Sequence, residues 1–282
     1  MSFFITNDDV EIHFHTYGDP ANQAIVLING YSASEVTWCC QIEPLVNAGF
    51  FVITYDHRSH GLSEKVNYGL TLARLATDLH ELLAHLKLKH PVLLGHSMGA
   101  ATIMAFEELF TDKDLLLVIT EDQAPTFMKH EGWLDGQTGR TLSELGQFVI
   151  DFPRTKLTQK KLSTEIKREL GKKMYPFDFK TYRSLLLNVT EQDWRAELGR
   201  EKKPHLFFLL EENLLYFHQN MPKQLVLYKE ILIQKLLILK DVVISYIWKM
   251  QKNSIKQSLI LLTKIKTERG SVFLVSFCRF FY

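Results

Sequence analysis

The chain has 282 residues, 46% hydrophobic and 23% charged, an ordinary globular composition that excludes disorder, collagen and coiled coil. Thirty-three Lys and Arg against 32 Asp and Glu leave a net charge of +1, so no global field exists to hold a nucleic acid or an anionic membrane. Three cysteines, two of them the neighbours Cys39 and Cys40, give an odd count without framework spacing, which suits a reducing, cytoplasmic setting. The N-terminus MSFFITNDD carries acids where an export signal needs a basic start. The most apolar tract, residues 224–248, is broken by Lys229, Glu230, Lys235, Lys240 and Asp241, too often for a bilayer span.

In chain order, residues 10–17 alternate apolar and polar and stop at Gly18-Asp19-Pro20, a strand and its turn. Residues 24–28 (AIVLI) are a continuous apolar run, the pattern of a strand covered on both faces. A helical pattern over 34–48 ends at Gly49, and 50–55 (FFVITY) is the next buried run. Leu72, Leu75, Leu79, Leu82, Leu83 and Leu86 recur at helical spacing within 71–89, followed by a strand over 91–94, a helix over 100–110 and a strand over 115–120. This alternation predicts a mostly parallel sheet with helices on both faces and ligands at the carboxyl ends of its strands. The expected organisation is a core over 1–124, a helical cap over 125–200, and a core strand resumed over 201–210.

The motif with the sharpest chemistry is Gly95-His96-Ser97-Met98-Gly99, directly after one strand and before the small residues Ala100-Ala101. Gly-x-Ser-x-Gly at such a turn is a nucleophile elbow: the serine takes a strained conformation and the glycines let strand and helix approach. Chance supplies this pattern roughly 0.03 times in a chain of this length and glycine and serine content. Asn29-Gly30-Tyr31-Ser32 follows the strand AIVLI, where a backbone N–H of Tyr31 would join that of Met98 in an oxyanion hole. Asp56-His57-Arg58-Ser59-His60-Gly61-Leu62-Ser63 reads as a structural turn, with Asp56 and Arg58 pairing locally.

These residues resemble the α/β-hydrolases of the short esterase, lactonase and non-haem haloperoxidase-like group, over residues 3 to about 209. LINGYSAS, YDHRSHGLS, LLGHSMGA and VITEDQAP carry the likeness. Asn29 stands where that group usually has histidine, which weakens the hold on the oxyanion loop, and Ser59 where it usually has glycine, which tightens a turn. The resemblance implies a Ser, acid, His triad without cofactor or metal, acting on a small ester or lactone, with Ser97 as nucleophile. Ser97 stands where epoxide hydrolases and haloalkane dehalogenases use an aspartate nucleophile, which speaks against those two activities and leaves a cofactor-free haloperoxidase or C–C hydrolase activity open. Asp122 is the candidate acid; other members carry theirs after the next strand. No histidine fits as base: His57, His60 and His96 are wrong in order or too near the elbow, His130 precedes the cap, His205 begins a strand, and His218 comes one strand too early. Trp133, Phe148, Phe152, Tyr175, Phe177, Tyr182 and Trp194 are candidates for an apolar lining or for packing the cap on the core.

The segment 211–282 departs from what precedes it. Of 14 glycines only Gly270 lies beyond Gly199, of 8 prolines only Pro222 lies beyond Pro204, and Asp241 is the one aspartate past Asp193. This loss of turn residues suggests translation in a shifted frame. With synonymous bases chosen freely, KDVVISYIWKMQKN can read GCSHFIYMEDAEKF, which resembles the group's Gly-x-x-His loop, its histidine spanning the codons of Val243 and Ile244. Met221, Trp248 and Met250, whose codons carry no freedom, force Ala, Glu and Ala in agreement with that pattern. The competing reading is a divergent helical C-terminus and a catalytically dead or binding protein.

Overall fold

The computed structural model describes residues 2–129, 140–155, 164–172, 175–203, 205–208, 260–267 and 270–277. Its main sheet has seven strands in the order β1-β2-β4-β3-β5-β6-β7. They are β1 (Ser2–Ile5), β2 (Glu11–Tyr17), β3 (Gln23–Ile28), β4 (Phe50–Tyr55), β5 (Val92–His96), β6 (Leu117–Glu121) and β7 (His205–Phe208). The β1/β2 and β2/β4 pairs are antiparallel, and every pair from β4 to β7 is parallel. The apolar runs of β3, β4 and β5 thus become the centre of the sheet, buried on both faces. The result is a mostly parallel sheet with helices on both faces.

One face packs under α2 (Leu72–His85) and α3 (Met98–Phe110). Leu72, Leu75, Leu79 and Leu82 of α2 are wholly buried there, each worth about 1.5–3 kcal/mol against exposure. The Thr71 hydroxyl caps α2 by accepting the Arg74 N–H. The other face buries Ile25, Leu27, Val52, Val92 and Leu117 with Trp38 and Leu45. The expected helix over 34–48 is split into a 3₁₀ turn, Glu35–Trp38, and α1 (Ile42–Asn47). Pro44 has no N–H to donate and fits only the first turn of a helix, so α1 starts just before it.

The short edge strand β1 was not expected from sequence: it has four residues, three of them exposed, so periodicity carries no signal. After β6 come α4 (Leu142–Asp151), α5 (Thr164–Lys172), α6 (Arg183–Thr190) and α7 (Arg195–Arg200). Thr141 and Glu144 close a capping box at the start of α4. The beginning and end of this helical segment are joined: Thr126 bridges Asp193, and the Trp194 N–H donates to the Pro125 carbonyl at 2.9 Å. Beyond β7, the described strands β8 (Ile260–Thr267) and β9 (Gly270–Phe277) pair with each other, antiparallel, in a separate two-stranded sheet. The codons of Val243 and Ile244, on which the shifted-frame reading turns, lie outside the described residues, as do His130, Trp133 and His218.

Candidate active site

Ser97 sits between the last residue of β5 and the first of α3 with φ 51° and ψ −118°, a conformation that non-glycine residues rarely hold. Its N–H donates to the Glu121 carbonyl at 2.8 Å and its carbonyl accepts from Ala101 at 3.0 Å, so the backbone around it is pinned on both sides. The flanking glycines are steric necessities. A Cβ on Gly95 would lie 2.5 Å from the Gly99 carbonyl carbon, and one on Gly99 would lie 2.1 Å from the Ile28 carbonyl oxygen. Strand, turn and helix can therefore close on one another only with hydrogen at both positions.

The Asn29–Ser32 loop leaves β3 beside this turn. A Cβ built on Gly30 would lie 3.3 Å from the Ser97 Cβ and 3.2 Å from the His96 Nδ1, which brings the loop backbone against the serine. Asn29 supplies a tie: its Nδ2 donates to the Ala33 carbonyl at 3.1 Å. His57 adds a second from outside, its Nε2 lying 3.2 Å from the Asn29 carbonyl. The Tyr31 hydroxyl donates to the Tyr182 carbonyl at 3.1 Å, across 151 residues, so the helical segment holds the loop in place. Burial raises the Tyr31 phenol above its usual range. Phe152, Phe177 and Phe179 surround the Tyr31 ring with centroids at 5.6, 4.9 and 6.0 Å. Of the candidate lining residues, Phe152 and Phe177 thus stand over the Asn29–Ser32 loop, while Tyr182 and Trp194 are buried in the core cluster.

The Asp56 turn is structural in a different way from that expected. Asp56 accepts the N–H of Glu35 at 2.7 Å and of Leu62 at 2.8 Å, and does not pair with Arg58. Arg58, wholly buried, instead reaches Asp78 on α2 at 2.7 Å and Asp8 in the β1–β2 turn at 2.9 Å. Ser59 holds φ 65°, a left-handed conformation that favours glycine, and its hydroxyl donates to the Val66 carbonyl at 2.8 Å.

Asp122 follows β6 with φ 52°, one residue past the carbonyl that receives the Ser97 N–H. Sequence reasoning overlooked its neighbour Glu121, whose carboxyl is pushed up to about 8 by burial and by the adjacent Asp122 charge. A carboxylate at the end of a strand reads as turn material, and only its register opposite His96 of the elbow marks it out. Among the described histidines, His57, His60 and His96 are buried and held neutral, falling to about 3, 4 and 4 because burial disfavours the cation. His205 is at the amino end of β7, opposite Val118, with Nδ1 2.7 Å from Glu201 and Nε2 2.8 Å from the Thr120 hydroxyl. His57 is thus turned to the Asn29 carbonyl, and His205 to Glu201 and Thr120.

A sheet of this order, with a strained serine at the β5–α3 turn and a glycine loop against it, defines the α/β-hydrolase class. The chain belongs to the alpha/beta hydrolase fold family, whose profile matches residues 23–215. It is 32% identical over 106 residues to the non-heme chloroperoxidase of Burkholderia pyrrocinia, covering 38% of each chain. It is 36% identical over 99 residues to rhodomycin D methylesterase DnrP of Streptomyces peucetius, covering 34% of this chain and 33% of that one. The chain thus spans about two fifths or less of the length of these relatives. Among solved structures it is similar to the esterase EaEST of Exiguobacterium antarcticum, with a TM-score of 0.64 at 20% identity over 73% of this chain and 80% of that one. Among the described residues, no helix is long and apolar enough to cross a membrane.

Proposed function

We propose that this chain is built as a serine hydrolase for a small carboxylic ester or lactone, with Ser97 as the nucleophile. The observation that carries this reading is the Ser97 backbone, φ 51°, with the Gly30 loop packed against its Cβ. In the proposed mechanism the Ser97 hydroxyl attacks the acyl carbonyl, and the N–H groups of Tyr31 and Met98 hold the oxyanion. Both donors are backbone groups on short, pinned turns, so they need no reorganisation as charge develops. The acid is assigned to Asp122, with Glu121 as its competitor at the same strand end. The aromatic side chains over Tyr31 give an apolar entrance, in keeping with a small, weakly polar acyl substrate. The cap is assigned to residues 125–200 and the cytoplasm is the proposed setting.

The proton on Ser97 needs a base, and we assign it to the histidine of the shifted frame, across the codons of Val243 and Ile244. The chain as it stands then retains only what the oxyanion hole and substrate binding supply, about 10³–10⁴ over water. The second reading, a hydrolase-fold protein that binds without turnover, is favoured by the engagement of His57 and His205 away from the serine. Hydrolysis of p-nitrophenyl acetate separates the two. Acetylation of Ser97, located by peptide mass spectrometry and absent from Ser97→Ala, supports the hydrolase; p-nitrophenol release at equal rates with no acetyl group on Ser97 would assign the chain to the binding class.

A further inference from the structure

A second constellation lies away from Ser97, where β2 and β4 meet the 3₁₀ turn. His13 and His15 are two residues apart on β2, so their side chains share one face of the strand. Their rings are edge to face with centroids 4.6 Å apart. Glu35, from the 3₁₀ turn that follows the glycine loop, reaches the same place: its Oε2 is 2.6 Å from the His15 Nδ1. One donor atom from each of His13, His15 and Glu35 lies within 4.8 Å of the other two. His13 and Glu35 are buried, and the His15 side chain is 21% exposed, enough to admit an ion from solvent.

We propose that His13, His15 and Glu35 form a binding site for a divalent transition-metal ion of the zinc class. Two imidazoles and one carboxylate are the donor set that zinc and its neighbours prefer over magnesium or calcium. Zinc at about 2.0–2.1 Å from each donor places neighbouring donors roughly 3.4 Å apart. His15 and Glu35 must separate slightly and His13 must close in, movements of side chains on a fixed strand.

The surroundings suit a cation. The Thr54 hydroxyl donates to the same Glu35 oxygen at 2.8 Å, which orients the carboxylate. The Glu35 N–H is held by Asp56 at 2.7 Å, so a second buried carboxylate lies one backbone unit away and adds negative potential. The strand itself is anchored at His13, whose N–H donates to the Ser63 hydroxyl at 2.9 Å and whose carbonyl accepts from Asp56 at 3.0 Å. Three donors leave at least one coordination position for water or a ligand.

The test uses the full chain, stripped with EDTA and titrated with Co²⁺ alone while visible ligand-field absorption is recorded. One equivalent should bind and be displaced by Zn²⁺. His15→Ala and Glu35→Gln should each weaken binding at least 100-fold, and Thr54→Val about tenfold, as expected for a group that only orients a ligand. His15 is partly exposed, so its variant retains the fold, which far-UV circular dichroism verifies. Zn²⁺ should raise the melting temperature of the parent and leave that of His15→Ala unchanged. Failure to bind one equivalent, or binding that survives both ligand variants, would overturn the proposal.

Discussion

At the residue scale, the Gly99 hydrogen decides whether the elbow exists. Its replacement by a methyl puts carbon 2.1 Å from the Ile28 oxygen, a contact that backbone must move to relieve. Gly99→Ala should therefore destabilise the chain by about 3 kcal/mol or more, as overpacking against fixed atoms does, and shift the urea midpoint accordingly. Glu107 on α3 carries a different liability. Burial first, then the neighbouring Glu201, pushes its carboxyl up to about 8, with Asp112 adding to the rise and His205 opposing it. The unfolded value lies near 4.3, so the folded chain holds this proton more tightly. Stability from this group is complete below that value and is lost as the pH climbs to about 8. Glu107→Gln keeps a donor toward Glu201 and should flatten the decline, raising stability at pH 8 by about 1–3 kcal/mol. Denaturation midpoints from pH 5 to 8 check this: parallel curves for the two proteins would refute it.

At the scale of elements, Arg58 fastens three of them: the turn after β4, α2 through Asp78, and the β1–β2 turn through Asp8. Asp78 is wholly buried, and removing it leaves a buried cation with Asp8 as its remaining partner. Asp78→Ala should destabilise by about 3–5 kcal/mol, measured by urea unfolding, while Asp8→Ala, at a partly exposed position, should cost less than half of that. The sequence announced the site better than it announced this clamp. Gly95, Ser97, Gly99 and Gly30 are legible because short-range geometry demands glycine at fixed offsets from the serine. Arg58 finds its partners 20 and 50 residues away, so the neighbouring Asp56 looked like its mate. The central strands were legible because both faces are covered. The edge strand β1, with Phe3 56% and Ile5 53% exposed, carries no such signature. The broken helix over 34–48 was marked only by Pro44.

At the scale of the whole molecule, the main sheet runs in register from β1 to β7, whereas β8 and β9 pair only with each other among the described residues. That division falls where glycine, proline and aspartate thin out of the sequence. We propose a shifted frame as the common cause of both. Fresh genomic sequence from the codon of Leu206 to that of Trp248 should show one base gained or lost and, in the restored frame, a Gly-x-x-His loop. Confirmation of the present frame without a matching alternative would remove the idea and leave a divergent tail.

The central claim is that Ser97 is the reacting group, and labelling with a fluorophosphonate tests it most directly. The full chain and Ser97→Ala are incubated with the probe, and the modified residue is located by peptide mass spectrometry. Labelling should be slow, confined to Ser97, absent from the variant, and without a histidine-like inflection in its pH profile, since the oxyanion hole acts without its base. A label on another residue, or none on Ser97 after exhaustive reaction, would contradict the assignment.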